Sequence, residues 1–143
     1  MDKLQVQKIA PHSMLPTAAY PGDSGLDLYS AEDLILSPFE RRAVRTGIRI
    51  ALPVGTEGQI RGRSGLALEN GISVLNSPGT IDTGYRGEIL VILINFDAKA
   101  FQIKIGMRIA QLVVCPVIST EVEEASTLPP GGRGSSGFGS SGH

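Results

Sequence analysis

Glycine and proline interrupt this sequence so often that long helices are excluded as its main architecture. The 143 residues include 18 glycines and 9 prolines. Glycine is costly inside helices and strands, and proline removes a backbone donor, so both concentrate in turns. A chain of this length also favours one domain. The spacing therefore predicts an all-β domain of many short strands joined by turns.

Alternating apolar and polar residues locate several of these strands. From Val44 to Leu52 the alternation predicts one strand with a single buried face. Further short strands are predicted at Gln59–Arg63, with Arg61 and Arg63 on the face of Gln59, at Gln102–Ile105, and at Met107–Val114, which Pro116 ends. Ser64–Asn70 is the predicted helix, ending at Asn70-Gly71. Together these elements indicate a jelly-roll-like β-sandwich or barrel with one short helix.

The segment Glu88–Asn95 differs because it is continuously apolar rather than alternating. It is therefore predicted to be a strand buried on both faces, which is unusual in a small sandwich. The core is also short of large aromatic side chains, with no Trp, three Tyr and four Phe. Because small domains bury a smaller share of their surface, both features favour self-association through one face of this strand.

Charge and cysteine content exclude several classes of partner. The formal net charge of −1 predicts no broad attraction to nucleic acid or to a membrane surface. Cys115 is the single cysteine, so no internal disulfide forms, and we expect a small buried thiol in a reducing compartment. The apolar run Ile89–Ile94 is too short to span a bilayer, and the N-terminus lacks the apolar segment of a signal peptide. These features predict a soluble cytoplasmic protein.

The common signatures of nucleotide and hydrolytic sites are missing from the sequence. No G-x-x-x-x-G-K-[ST] loop is present, and no G-x-G-x-x-G follows a strand and opens a helix. G-x-S-x-G, H-E-x-x-H and cysteine–histidine clusters are absent as well. Any phosphate chemistry must therefore come from local placement of arginine and carboxylate groups.

Two short polar segments in the first half of the chain can supply such groups. In Pro21–Leu28, Asp27 follows a glycine-rich turn at the start of a strand. In Gly58–Leu66, a strand ends and the short helix begins. The amides of Ser64 and Gly65 there would face an anion, together with the guanidinium of Arg63.

Three further segments lie in the second half. Turn signals on both sides of Ile81-Asp82 predict that Asn76–Gly87 is a hairpin that displays Asp82 and Tyr85. Arg108–Leu112 is a strand with a polar Gln111 among apolar neighbours. The tail from residue 128 to residue 143 is rich in Gly and Ser, so it is either disordered or an adaptable segment that contacts a phosphate and a flat base through Arg133 and Phe138.

Each segment alone has a simpler explanation than function. Asp27 can be a turn residue, Ser64 a helix cap, Tyr85 a packing residue and Gln111 a partner of the backbone. In this order and together, however, the five segments resemble the five ordered motifs of the trimeric dUTP pyrophosphatases, or dUTPases. The most specific match is Asn-Ser-Pro-Gly-Thr-Ile-Asp followed by Tyr-Arg-Gly-Glu at 76–88, and Arg-Ile-Ala-Gln-Leu at 108–112 is nearly as specific.

The resemblance implies a Mg²⁺-assisted enzyme that hydrolyses dUTP to dUMP and pyrophosphate. Such activity limits uracil incorporation into DNA and supplies dUMP for dTMP synthesis. Water would attack the α-phosphorus, with Asp82 orienting that water and accepting its proton. The metal would be held by triphosphate oxygens and waters, one of which Asp27 would contact. The family also implies a homotrimer whose active sites lie between subunits.

The resemblance further assigns substrate contacts. Phosphate contacts fall to Arg63, Ser64 and Gly65, and contacts with the uracil edge to Asn76, Thr80 and Ile81, with Gln111 acting through an ordered water. Tyr85 would pack against the deoxyribose where a ribose 2′-hydroxyl would clash. Residues 1–127 would form the enzyme domain and residues 128–143 a lid, in which Arg133 grips the outer phosphates, Phe138 stacks on uracil and Gly139 adds a further substrate contact.

Two residues depart from the family pattern, and three other functions stay open at this point. Met107 stands where an acidic residue is common, and Ser136 where a further glycine is usual. A dCTP deaminase shares the fold but carries a second Ser and a nearby Arg, where this chain has Gly65 and Leu68. A catalytically silent nucleotide-binding protein and a structural jelly roll without a ligand are the remaining alternatives.

Overall fold

The computed structural model describes residues 3–142. Met1, Asp2 and His143, at the ends of the predicted domain and tail, lie outside the described residues. Between residues 3 and 142 the chain forms eleven strands and one helix. In chain order they are β1 Gln5–Lys8, β2 Gly25–Tyr29, β3 Leu34–Leu36, β4 Arg41–Arg45, β5 Ile48–Ala51, β6 Thr56–Arg61, α1 Ser64–Asn70, β7 Ile72–Val74, β8 Gly79–Ile81, β9 Leu90–Asn95, β10 Phe101–Ile103 and β11 Arg108–Pro116.

The strands pair antiparallel throughout and form four small sheets. The largest has the order β2-β11-β6-β8, and a three-stranded sheet has the order β4-β9-β7. β1 pairs with β5, and β10 pairs with β3. All four sheets contribute to one buried core, which includes Leu28, Leu36, Ile48, Leu93 and Leu112. The predicted jelly-roll-like β-sandwich with one short helix is therefore confirmed.

The alternating segment Val44–Leu52 is two strands rather than the single strand predicted. Its apolar residues are buried as the pattern indicated, but the chain turns between β4 and β5. Gly47 has a φ of +66°, in the left-handed region that favours glycine. A Cβ atom there would lie 2.4 Å from Ser13 Oγ. The turn lets one alternating segment serve two sheets, which hydrophobic periodicity cannot reveal.

Strand β9 is buried on one face only, so the prediction of burial on both faces is wrong within a single chain. Val91, Leu93 and Asn95 are buried. On the other face Leu90 is 43% exposed, and Ile92 and Ile94 are half-buried. Exposed Ala43 of β4 is the cross-strand neighbour of Ile92. These residues form an apolar stripe on the outer face of the three-stranded sheet, which we call the β9 face.

The helix α1 is confirmed with its predicted bounds. It ends at Asn70 and is capped by Gly71, which has a left-handed φ of 63° and donates its N–H to the carbonyl of Leu66, a common helix C-terminus. No residue of α1 is buried, and the helix is too short to cross a membrane. The helix begins soon after β6 ends, and this junction positions the polar residues at the start of the helix.

The end of the chain is less regular than the rest. Cys115, near the end of β11, is half-buried rather than buried as predicted. After Pro116 the described chain contains no strand or helix, and residues 117–136 are exposed. Short turns follow, and Arg133 Nε donates to the carbonyl of Ser136 at 3.0 Å. The last regular element therefore ends before the predicted boundary at residue 127.

Candidate active site

The segment that carries Asp82 is a strand followed by a turn, not the predicted hairpin. β8 pairs with β6, in the register Gly58 to Ile81, and not with the strands beside it in sequence. Beyond Ile81 the chain turns, and Tyr85 N donates to the carbonyl of Asp82 at 3.0 Å. Pairing with a sequence-distant strand is decided by tertiary structure, so turn signals on both sides of Ile81-Asp82 were insufficient to identify it.

A cavity of about 210 Å³, the turn pocket, lies beside this segment. It contains five of the sequence-predicted site residues, namely Asn76, Thr80, Ile81, Asp82 and Tyr85. Ile60, Gly79, Glu88, Leu90 and Ile92 complete the lining, and the sequence analysis did not predict these. The volume is below the roughly 300–1,000 Å³ of complete small-molecule sites. As enclosed by one chain, the pocket is therefore large enough for only part of a nucleotide.

Asp27 does not line the turn pocket, and it lies among charged side chains. It is buried in β2, and its two carboxylate oxygens each face an arginine. Arg63 Nε is 3.1 Å from Oδ1, and Arg108 Nη1 is 3.4 Å from Oδ2. Arg108 donates a charge-assisted hydrogen bond to the carboxylate, and Arg63 forms an ion pair with it. Arg108 was missed by the sequence analysis, although it opens the Arg-Ile-Ala-Gln segment, and its pairing with Asp27 spans 81 positions.

Around Asp27 a second cavity of about 390 Å³, the Asp27 pocket, brings together the predicted phosphate-binding residues. It is lined by Ala19, Asp23, Ser24, Gly25, Asp27, Arg63, Ser64, Gly65 and Gln111. Arg63 is the N-cap residue of α1, without a side-chain capping bond, and Ser64 is the first helical residue. The interpretation of Ser64 as a helix cap is therefore wrong, and Ser64 lines the pocket instead.

The two arginines at the end of β6 differ from each other in their contacts. Arg61 does share a face with Gln59, because Arg61 Nη2 donates to Gln59 Oε1 at 2.6 Å. Arg63, predicted on the same face, follows the end of β6 and turns to Asp27 instead. Gln111 also lies here, although its predicted partners at the uracil edge line the turn pocket of the same chain.

Gln111 is held by its amide. Its Nε2 donates to the carbonyl of Gly62 at 2.8 Å, which leaves Oε1 facing Gly25. A Cβ atom at Gly25 would lie 2.1 Å from that oxygen, a distance that no packed atoms adopt. The absence of a side chain at Gly25 therefore makes room for the Gln111 carboxamide.

The two pockets lie at opposite edges of the four-stranded sheet and share no lining residue. β8 and β2 are separated by β6 and β11, which places them about 14 Å apart at the usual strand spacing. Gln111 of β11 pairs with Asp27 of β2 and with Arg61 of β6, so Asp27 lies level with Arg61. Asp82 follows Ile81, which pairs with Gly58, so Asp82 lies four residues along β6 from Arg61. That offset of four residues adds about 13 Å along the strand. Asp27 and Asp82 of one chain are thus on the order of 15–20 Å apart.

The tail residues contribute to neither pocket. Arg133 is exposed, and Phe138 projects fully into solvent. Gly139 lies in the same run of turns with a φ of 82°. The three predicted tail contacts therefore lie apart from the other site residues of this chain.

No group of three or more His, Cys, Asp or Glu side chains is arranged to hold a metal ion within residues 3–142. The carboxylate nearest to the predicted phosphate site, Asp27, is already engaged by two arginines. Magnesium keeps several waters and is commonly bound through one or two carboxylates together with substrate phosphates. The side chains present fit a metal that arrives with a polyphosphate, and they do not form a metal cage.

Comparison with known proteins finds a matching family model, similar sequences and similar solved structures. The dUTPase family model matches residues 12–142. The chain is similar to the deoxyuridine 5′-triphosphate nucleotidohydrolase of Clostridium novyi, with 52% identity over 98% of this chain and 99% of that protein. The protein of the same description from Gloeothece citriformis is 55% identical over 98% of this chain and 97% of its own length. Among solved structures, the Staphylococcus bacteriophage 80alpha dUTPase G164S mutant with dUpNHpp is similar over 100% of both chains, with a TM-score of 0.94 and 26% identity.

Proposed function

The chain belongs to the dUTPase family and is a deoxyuridine 5′-triphosphate nucleotidohydrolase, and from that premise we propose that its active sites form between subunits of a homotrimer. The observation that carries this proposal is the separation of the turn pocket from the Asp27 pocket. Hydrogen bonds and metal–oxygen bonds each span only 2–3 Å or so. The carboxylate that orients the attacking water and the one that contacts a metal-bound water must therefore both lie close to the same phosphate group. Asp82 and Asp27 of one chain are too far apart for this.

The turn pocket supplies the water-orienting carboxylate and the recognition of the nucleoside. Asp82 is exposed at the mouth of this pocket, so it can accept a proton from a water placed in line with the scissile bond. Hydrogen bonds from Asn76 and from the backbone of Thr80 and Ile81 would read the uracil edge. Tyr85 would stand beside the deoxyribose and exclude a ribose 2′-hydroxyl.

The Asp27 pocket of a neighbouring subunit would bind the triphosphate. Asp27 contacts Arg63 at Nε, and the terminal nitrogens of that guanidinium would bind phosphate oxygens. The Ser64 hydroxyl and the Gly65 amide would add donors that stabilise charge on the leaving pyrophosphate. Gln111, fixed by Gly62, would reach the uracil through a water when the neighbouring turn pocket presents the base.

Magnesium fits the Asp27 pocket as a partner of the substrate. Asp27 would hold it through a hydrogen bond to a coordinated water, with phosphate oxygens as its direct ligands. When bound, Mg²⁺ would neutralise charge that develops on the phosphate oxygens. Arg63 and Arg108 would hold the Asp27 side chain in place at the pocket.

The β9 face supports the assembly of subunits. Leu90 and Ile92 line the turn pocket and also belong to this uncovered apolar stripe. A neighbouring subunit that covers the β9 face would bury the stripe and approach the open side of the turn pocket in the same step. Burial of apolar area stabilises such an interface by roughly 25 cal/mol per Å².

Residues 128–143 would act as a lid over the composite site. Phe138 is fully exposed, so its ring can stack on a bound uracil without disrupting the core. Arg133 would bind the outer phosphates, and the glycines around it, Gly139 among them, let the backbone approach the substrate closely. In the cell the enzyme would act in the cytoplasm, where hydrolysis limits uracil in DNA and supplies dUMP.

Mixed trimers test the composite site directly. One chain carries Asp82→Asn and a second carries Arg63→Ala, so each homotrimer lacks one essential group at every site. If each site pairs the turn pocket of one subunit with the Asp27 pocket of the next, a trimer made of two copies of either chain and one of the other contains one fully wild-type site. Mixing should then restore pyrophosphate release from dUTP to about one third of the wild-type rate per mixed trimer.

The same experiment has a clear opposing outcome. If both pockets of one chain serve the same site, every site in a mixed trimer keeps one defect, and activity stays at the level of the parents. A double variant with Asp82→Asn and Arg63→Ala on one chain, mixed with wild-type chains, controls for exchange of subunits. Sedimentation of tagged and untagged chains verifies that mixed trimers have formed.

A further inference from the structure

Tyr85 is held against the chain that follows it. Its hydroxyl donates to the carbonyl of Glu88 at 3.0 Å, and its backbone N–H closes the turn on Asp82. The side chain therefore extends along the next three residues, while Tyr85 is 43% exposed and lines the turn pocket. A phenol anchored at its far end presents a fixed wall rather than a mobile ring.

Gly87 is the residue beneath that ring. A Cβ atom at Gly87 would lie 2.3 Å from the Tyr85 hydroxyl oxygen, 2.5 Å from Cζ and 3.0 Å from Cε2. Gly87 does not have a positive φ, so its backbone conformation is open to any residue. Glycine is required here for space, and the space is filled by Tyr85.

The carbonyl that anchors Tyr85 is itself fixed to the core. The carboxylate of Glu88 accepts hydrogen bonds from Gly47 N at 2.9 Å and from Arg45 Nε at 3.1 Å. Directly after it, Ile89 N donates to the carbonyl of Ile48 at 2.9 Å. These bonds tie residues 88 and 89 to the turn between β4 and β5, so the acceptor of the tyrosine hydroxyl cannot shift alone.

We call Glu88, together with the bonds that tie it to Gly47 and Arg45, the Glu88 clamp. We propose that Gly87 and the Glu88 clamp are positioning residues that set sugar specificity by fixing the Tyr85 ring. The proposal rests on the function described above, in which Tyr85 excludes the ribose 2′-hydroxyl. A rigid ring excludes an added hydroxyl by contact, whereas a displaced ring leaves room for it. The specificity for deoxyribose then depends on Gly87 and Glu88 as well as on Tyr85 itself.

The variant Gly87→Ala tests the proposal, with Gly84→Ala as its matched control. Gly84 lies in the same turn, but a Cβ atom there meets nothing within 4 Å. Gly87→Ala should raise kcat/KM for UTP relative to dUTP by about 10-fold, within the roughly 10²-fold by which such a wall rejects a hydroxyl. Gly84→Ala should keep the wild-type ratio. A folded, trimeric Gly87→Ala enzyme with the wild-type ratio would overturn the proposal.

A double-mutant cycle separates positioning from general damage. Tyr85→Ala removes the wall, so adding Gly87→Ala to it should change the dUTP to UTP ratio no further. An additional change of the same size in the double variant would show that Gly87 acts by another route, and the proposal would fail.

Glu88→Gln serves where Gly87→Ala does not fold. It keeps the size of the side chain but weakens the bond to Arg45, so the ratio should relax partially towards UTP, by a few-fold. An unchanged ratio in a folded Glu88→Gln enzyme would overturn the role of the clamp. Failure of this inference is distinct from failure of the proposed function, because the latter would appear as a wild-type enzyme that does not prefer dUTP to UTP.

Discussion

The turn pocket and the Asp27 pocket lie at opposite edges of one sheet but are built from different groups. The turn pocket has an apolar floor from Ile60 and Ile92, backbone groups of β8 and one exposed carboxylate. The Asp27 pocket is open and charged, with a carboxylate held between two arginines. The first is suited to the shape and edge pattern of a nucleoside, and the second to a polyphosphate with its metal. Under the proposed function, each chain would carry two halves of a site that it cannot join by itself.

The two pockets nevertheless share one packing feature. In each, a functional side chain lies over a glycine whose missing Cβ leaves room for it. Tyr85 covers Gly87 in the turn pocket, and Gln111 covers Gly25 in the Asp27 pocket. Neither glycine has a positive φ. Both therefore show that a glycine can be needed for the position of a neighbour rather than for its own conformation.

The largest expected contrast between the pockets lies in their two carboxylates. Asp82→Asn should lower kcat for dUTP by at least about 10²-fold, the scale seen when one catalytic group is lost, and leave the affinity for dUpNHpp near that of the wild type. Asp27→Asn should instead raise the Mg²⁺ concentration needed for half-maximal activity, because it weakens the hydrogen bond to a metal-bound water. Steady-state kinetics over a Mg²⁺ series, with calorimetric binding of dUpNHpp, measures both.

The contrast between the two carboxylates fails if Asp82→Asn and Asp27→Asn affect turnover in the same way. Near-normal turnover by Asp82→Asn would remove it from the mechanism. A loss of turnover in Asp27→Asn that no Mg²⁺ concentration offsets would assign it a more direct role. Asp97→Asn, a substitution outside both pockets, controls for general effects of losing a carboxylate.

A smaller effect is expected from the tail, which belongs to neither pocket in the chain itself. Removal of residues from Arg133 onward should lower kcat/KM for dUTP by about 10-fold or more, since stacking of one base on an aromatic ring contributes about 1–3 kcal/mol. The trimer should persist, because the β9 face is unchanged. A fully active truncated enzyme would show that the tail is only a linker, and light scattering would report the state of assembly.

The smallest effect, and the sharpest comparison of the two pockets, concerns Gly25. Gly25→Ala should displace Gln111 and lower kcat/KM for dUTP and UTP by the same few-fold factor, since the Asp27 pocket does not contact the sugar. Gly87→Ala should change the two substrates unequally. A Gly25→Ala enzyme with altered sugar preference would show that the pockets are not separate in function. Gly65→Ala is not a suitable control, because Gly65 lines the same pocket, but Gly84→Ala is, because it lies outside that pocket and a Cβ atom there meets nothing within 4 Å.

Sequence patterns predicted most of the fold because they report local constraints. The helix Ser64–Asn70 was found to the residue, since a C-terminal glycine at position 71 is a local signal. The single strand predicted for Val44–Leu52 was wrong because the alternation continues through Gly47 while the chain changes sheets. The hairpin predicted around Asp82 was wrong because β8 pairs with β6, about twenty residues earlier. Strand pairing is a non-local choice that periodicity does not encode.

The site was predictable as a set of residues but not as an arrangement. Ordered motifs identified Asp27, Arg63, Asp82 and Tyr85 together, yet nothing in their spacing indicated that they fall into two pockets. Arg108 was overlooked because its importance depends on the side chain of Asp27 beside it in space. Gly87 was read as part of a motif, and only the ring that lies over it gives the reason for its identity.

The sequence by itself determined that this chain is a small all-β protein of the dUTPase family. Strand periodicity, turn residues and the order of motifs are local features of the sequence, so they can be identified without knowledge of tertiary contacts. Tertiary structure decided that Asp82 and Asp27 stand at opposite edges of a sheet, that Glu88 is tied to Gly47, and that one face of β9 is left uncovered. These features depend on which strands pair and how side chains fill the space between them. That choice is made by the free energy of packing the whole chain, and no single segment contains it.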